Sequence, residues 1–259
     1  MDTLKIGTRE FRSRLILGTG KYRSFEEMRA SLEASGAEII TVALRRLDLS
    51  NPHQPNLLDY IDPNRYVILP NTAGAKTVQE AVQTARLAAA MGLPRWVKLE
   101  VIPDPKYLLP DPIATLEATK VLVEEGFDVL PYINADPVLA QQLQDAGSVT
   151  VMPLGSAIGS GQGLLNLSQI QIIIEQARVP VVVDAGIGAP SDAALAMELG
   201  AAACLVNTAV AQAKESVQMA HAMRLGVEAG RAAYLAGRIP RQHSATASSP
   251  TAGLPSVGR

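Results

Sequence analysis

Short β-branched runs recur along the chain at intervals of roughly 20–30 residues, separated by helix-patterned segments, and this alternation constrains the fold more than any other feature. Candidate strands fall at residues 14–18, 38–44, 66–70, 96–102, 128–132, 149–153, 179–184 and 203–207. The segments between them carry helix punctuation. Residues 77–91 keep an apolar stripe and stop before Gly92, and residues 112–125 open with Pro112 after Asp111 and stop at Gly126. Residues 190–199 place Pro190, Ser191 and Asp192 in a first turn and stop at Gly200. Eight strands alternating with helices predict an α/β fold, a (β/α)8 TIM barrel, over residues 1–239. The rival is a doubly wound sheet, but no composition break divides the chain and no Gly-x-Gly-x-x-Gly fingerprint follows the first strand. Residues 240–259 are rich in Ser, Ala, Thr, Pro and Gly and too poor in apolar residues to pack a core. They are expected to form a flexible tail, with a closing flap as the other reading.

The hydrophobic fraction of 47% comes mainly from Ala, Val, Leu and Ile, which suits parallel strands covered by close-packed helices. A formal net charge of −2 without a dense Lys/Arg cluster argues against nucleic-acid binding. No apolar run is long enough to cross a bilayer, and the start has no secretory h-region, so a cytoplasmic protein is expected. The single cysteine, Cys204, excludes an intrachain disulfide framework and reads as a buried thiol in the last strand. His53, His221 and His243 are scattered, forming neither a metal spacing nor a triad, so no metal site is expected.

One strand contains a residue that packing does not explain. Lys98 lies in Trp96-Val97-Lys98-Leu99-Glu100-Val101-Ile102, an otherwise apolar run, and burying an ammonium is costly unless its charge is paired or lost. Glu100 follows at i+2, on the same strand face, about 6.6 Å away at the α-carbons. Their attraction, roughly 2.5 kcal/mol at an effective dielectric of about 20, favours ammonium. Desolvation pulls the other way, and the expected balance is a partly neutral amine able to form an imine with a carbonyl substrate. Asp184 ends the apolar run Val181-Val182-Val183 and is placed at the same barrel mouth as an acid/base carboxylate, with a helix N-cap as its structural alternative.

Three consecutive strand–helix loops suit an anion. They are Gly155 to Gly163 with its repeated glycines, Asp184-Ala185-Gly186-Ile187-Gly188 before the Pro190 helix, and Asn207-Thr208-Ala209 after the last strand. Loops of this kind in a barrel commonly hold a ligand phosphate through backbone N–H groups and helix N-termini. Mostly neutral donors are expected, because the chain has no basic cluster; Lys5, Lys21, Lys76, Lys106, Lys120 and Lys214 fall in polar ends, loops or helix faces, and none matches Lys98 in context. Arg45 and Arg46 follow the second strand and either reach an anionic substrate or pair with Asp48. On these residues alone, a lysine-dependent aldolase or lyase and a non-catalytic phosphate-binding scaffold both stay open.

Several motifs together resemble the bacterial thiazole synthase family of thiamin biosynthesis. They include Thr41-Val42-Ala43-Leu44-Arg45-Arg46, Asn71-Thr72-Ala73-Gly74, the Lys98 strand, Leu109-Pro110-Asp111-Pro112 and Met152-Pro153-Leu154-Gly155-Ser156. Gly159-Ser160-Gly161-Gln162-Gly163, Val183-Asp184-Ala185-Gly186-Ile187-Gly188, Asn207-Thr208-Ala209 and Ala236-Gly237-Arg238-Ile239-Pro240 complete the set. The resemblance implies a Schiff base between Lys98 and the ketone of 1-deoxy-D-xylulose 5-phosphate, with Glu100 and Asp184 moving protons. It assigns Gly159, Ala185, Gly186, Asn207 and Thr208 to substrate binding, chiefly of the phosphate. It also implies sulfur from a thiocarboxylated sulfur-carrier protein, dehydroglycine as the other substrate, a thiazole phosphate carboxylate product, no cofactor, and a homo-oligomer (dimer or tetramer). Ala75 departs from the family pattern, standing where a cysteine is often found, and Ile133-Asn134-Ala135 replaces a more polar stretch.

Overall fold

A computed structural model describes residues 2–46, 56–246 and 248, with only the backbone of Arg46. His53 and Asp48 lie outside the described residues, as does most of the 240–259 segment. Residues 240–246 are exposed and have no regular secondary structure.

Among the described residues, ten strands and eight α-helices are arranged around a barrel. An antiparallel hairpin of β1 (Leu4–Ile6) and β2 (Arg9–Phe11) precedes it. The barrel strands are β3 (Leu15–Gly18), β4 (Ile39–Ala43), β5 (Val67–Asn71), β6 (Trp96–Leu99), β7 (Asp128–Ile133), β8 (Met152–Pro153), β9 (Val182–Asp184) and β10 (Ala203–Val206). They pair in parallel in the order β8-β7-β6-β5-β4-β3-β10-β9. Parallel bridges Val151–Val181 and Leu154–Asp184 join the two ends, so the sheet closes. All eight segments expected to be strands are barrel strands.

The helices are α1 (Phe25–Ser35), α2 (Val78–Ala90), α3 (Pro112–Glu124), α4 (Pro137–Asp145), α5 (Leu167–Gln176), α6 (Pro190–Glu198), α7 (Thr208–Ala211) and α8 (Ser216–Ala236). Their starts have direct chemical causes. The Asp111 carboxylate accepts from the Ile113 and Ala114 amides, and Pro112 supplies a pre-set φ at the first helical position. Asp136 and Pro137 repeat the device at α4. No helix among the described residues is long and apolar enough to cross a membrane.

The period-2 alternation of strands sorts side chains between lumen and helical shell. Val97 and Leu99 pack outward with Ala81, Ala85, Ala118 and Leu122 of α2 and α3. Trp96 turns inward to join Ile16, Ile39, Leu69, Leu130 and Met152 in the lower lumen. The hairpin closes that end: Leu4, Ile6 and Phe11 enter the same cluster, and the Phe11 ring stacks on Trp96 with centroids 6.2 Å apart. This apolar plug fills the floor of the lumen. Above it, the next inward positions are polar: Thr41, Asn71, Lys98 and Asp184, all buried. Cys204 faces outward from β10, its thiol directed at the Ala193 carbonyl, and burial pushes its pKa up to about 12. It is a buried thiol, as expected.

Candidate active site

The upper lumen opens into a cavity of about 870 Å³ at the C-terminal ends of the strands. Lys98, Glu100 and Asp184 line it together. Lys98 Nζ donates to Glu100 Oε1 at 2.7 Å and faces Asp184 Oδ2 at 2.8 Å, the latter an ion pair without hydrogen-bond alignment. The three residues are only 3–5% exposed. The Tyr132 ring covers another side of the ammonium, with its centroid 5.2 Å from Nζ.

Local structure holds the carboxylates in place. Glu100 lies just beyond β6, where the Thr72 hydroxyl accepts from its amide at 2.8 Å and donates to its carbonyl at 2.7 Å. Asp184 ends β9, where its carbonyl accepts from the Gly155 amide at 3.0 Å. The chain then turns through Ala185 and Gly186 with φ of 63° and 76°. At Gly186 a Cβ would lie 2.5 Å from the Ser156 amide nitrogen, so only glycine lets the two loops touch. Ala185 adopts the left-handed conformation without that freedom, a strain characteristic of functional turns.

The charge balance corrects the expectation of a partly neutral amine. Burial alone draws the Lys98 pKa down, but the Asp184 and Glu100 carboxylates outweigh it and hold the pKa above the ordinary lysine value. The resting group is an ammonium. Asp184 moves the other way: burial raises its carboxyl above the usual range, more than Lys98 and the Ala185 amide lower it. Burial likewise raises the Tyr132 phenol, with help from Asp184 and Glu100. One buried cation thus sits between two buried anions, one of which has a heightened affinity for a proton.

The glycine-bearing loops gather on one side of the cavity, following β8, β9 and β10. Gly159, Ala185, Gly186, Asn207 and Thr208 all line it, and the buried Asn207 Oδ1 has no hydrogen-bond partner. The structure also brings in Lys21. It follows β3, which pairs with β10, and adopts a left-handed φ of 69°. A Cβ built at Gly159 would be 3.4 Å from Lys21 Nζ and 3.7 Å from Thr208 Oγ1, so ammonium and hydroxyl converge on this loop. One lysine therefore joins the mostly neutral donors that the sequence reading expects. Its one available signal was the Gly18-Thr19-Gly20-Lys21 run at the end of the first barrel strand. Lys76 and Arg45 line the cavity on a different side, after β5 and β4.

Comparison with known proteins gives the family. The family described as "Thiazole biosynthesis protein ThiG" matches residues 5–250. The thiazole synthase of Acaryochloris marina is 59% identical over 258 residues, covering 97% of this chain and 94% of that protein. That of Syntrophobacter fumaroxidans is 60% identical over 251 residues, covering 97% and 98%. Among solved structures, a chain of the Amycolatopsis orientalis BexX/CysO complex superposes with a TM-score of 0.82 at 36% identity, covering 93% of this chain and 98% of that one. The native KDPGal structure, with a TM-score of 0.61 at 14% identity and covering 86% of this chain and 98% of that one, shares the fold alone. The chain belongs to the thiazole biosynthesis protein ThiG family.

Proposed function

We propose that this chain is a thiazole synthase that carries 1-deoxy-D-xylulose 5-phosphate as an imine on Lys98. The observation carrying this reading is the buried Lys98 ammonium held between two carboxylates, beside loops suited to a phosphate. Relatives about 60% identical bear the thiazole synthase name.

The chemistry follows from the charges. The ammonium must first lose a proton, and Glu100 Oε1, to which it donates at 2.7 Å, is the acceptor in line. The freed amine attacks the ketone, water leaves, and the iminium that forms regains the ion-pair partners of the original ammonium. The iminium draws electrons from the neighbouring C–H, so a carboxylate can take that proton and leave an enamine. Tautomerisation moves carbonyl character one carbon along, where a sulfur nucleophile adds. Sulfur is assigned to the thiocarboxylate of a carrier protein, a reading favoured by the BexX structure, which was solved as a complex with CysO. Dehydroglycine supplies the remaining nitrogen and carbon.

Borohydride reduction in the presence of 1-deoxy-D-xylulose 5-phosphate, followed by peptide mass analysis, tests this reading. The expected result is a single adduct on Lys98 with no cleavage of the sugar phosphate. Turnover of the sugar phosphate alone would establish an aldolase instead. An unmodified Lys98 at saturating ligand would remove the covalent mechanism.

Lys21 is assigned the role of counter-charge to the phosphate. A charge-assisted hydrogen bond contributes about 1.5–3 kcal/mol, and the low end applies to a solvent-facing lysine. Lys21→Ala is therefore expected to raise the half-saturating sugar phosphate for trapping by about tenfold. Trapping of the phosphate-free 1-deoxyxylulose should be unchanged. Equal losses with both ligands would place Lys21 outside the phosphate site.

A further inference from the structure

The cavity has a second cationic side. Register places Ala43, Asn71 and Lys98 at one height across β4, β5 and β6, and Arg45 lies two residues above Ala43. Arg45 and Gly74 follow β4 and β5, whereas Gly159 and Gly186 follow β8 and β9. In a closed eight-stranded barrel those pairs are four strands apart, half the circumference. The guanidinium is laid against the backbone at Gly74, where a Cβ would come 2.7 Å from Arg45 Cζ. Gly74 has a φ of +98°, so this residue both turns the chain and leaves room for the arginine. Nearby Glu80 accepts from the Lys76 amide at 2.7 Å.

We propose that Arg45 binds the carboxylate of the second small substrate, an α-imino acid, and so forms an anion subsite across the mouth from the phosphate loops. This rests on the imine reading above and deepens it. The ring chemistry demands two separated anions. The imino nitrogen joins the carbon that Lys98 activates, and sulfur joins both the next sugar carbon and the imino carbon. The carboxylate therefore ends on the ring carbon between nitrogen and sulfur, whereas the phosphate arm leaves from the carbon on sulfur's other side. The cavity has a matching layout: the Gly159 and Gly186 loops lie four strands from Arg45, the Lys21 side chain reaches Gly159 from β3 beside β4, and Lys98 reaches across to Asp184. A planar guanidinium also matches a carboxylate through two parallel N–H donors, a geometry that a lysine does not reproduce.

A second groove, of about 510 Å³, shares Arg45, Ala73 and Gly74 and continues past Gln83, Thr84 and Leu87 of α2. A peptide tail entering there would meet the same arginine, so the test must separate the imino acid from the sulfur donor. The full chain is assayed for thiazole formation with glyoxylate and ammonium, which condense to the imino acid, and with a thiocarboxylated carrier protein as the other varied substrate. Arg45→Gln is expected to raise the KM for glyoxylate at least tenfold, with the carrier KM and the borohydride trapping of 1-deoxy-D-xylulose 5-phosphate changed less than twofold. Arg45→Lys should recover part of the glyoxylate effect. An unchanged glyoxylate KM overturns the proposal, as does a rise confined to the carrier KM or a matching loss of trapping. A wild-type chain that forms no Lys98 adduct overturns the imine reading itself, and the subsite falls with it.

Discussion

Lys98→Ala is expected to abolish the borohydride adduct and reduce thiazole formation to background, while the barrel still folds. The interesting consequence is a pH-dependent loss of stability. Removing the lysine leaves Glu100 and Asp184 buried together without their cation. Breaking a buried ion pair from one side typically costs about 3–5 kcal/mol, and for a chain of this size about 3 kcal/mol corresponds to a fall in Tm of roughly 6–12 °C. Asp184 already has a raised pKa in the intact site, and losing the lysine raises it further. A carboxyl whose folded pKa exceeds its unfolded value is most compatible with the fold when protonated, so its penalty grows as pH rises through the folded pKa. The Tm deficit of the variant should therefore be smallest near pH 5 and largest near pH 8. In the wild type, the raised Lys98 pKa means that its contribution persists through the neutral range and fades only in strong alkali. Thermal melts across pH 5–8 check this, and a deficit that does not vary with pH would show that the two carboxylates separate or hydrate once the lysine is gone.

Much of the site was legible because the relevant signals are local. A lysine and a glutamate at i and i+2 in an apolar run must share the inner or outer face of a strand, and the shell face of β6 is fully used by Val97 and Leu99. Asp184 at the end of three valines could be placed at the mouth for the same reason. What was not legible depends on distances around the barrel. That Asp184 lies 2.8 Å from Lys98, 86 residues away in sequence, follows from closure between β8 and β9. That contact bears on the Lys98 pKa, because Asp184 makes the largest of the contributions that hold it up against burial. Lys21 reads in the sequence as one more loop lysine, because its loop has no periodicity and its position beside Gly159 depends on a left-handed turn. The β1–β2 hairpin was missed for a related reason: three-residue strands are too short to show alternation, although Leu4, Ile6 and Phe11 close the lumen floor.

The two carboxylates differ enough to divide their work. Glu100 Oε1 is aligned with the ammonium and its backbone is clamped by Thr72, which suits a group that holds the nitrogen in position. Asp184 Oδ2 is equally close but not aligned, and burial has raised its proton affinity, which suits the base that removes the carbon-bound proton. Asp184→Asn is therefore expected to keep the Lys98 adduct while lowering thiazole formation by about 10²–10⁴-fold, the usual range for a lost general base. Loss of one of two anions also lowers the Lys98 pKa, so more of the amine is free at a given pH and the pH profile of trapping should move to lower pH. Glu100→Gln should shift trapping in the same direction but lose less turnover, since the base remains. Trapping kinetics and thiazole yield measured on both variants separate the roles. If Asp184→Asn loses the adduct together with turnover, Asp184 acts at imine formation instead, and if turnover survives, the proton goes to Glu100.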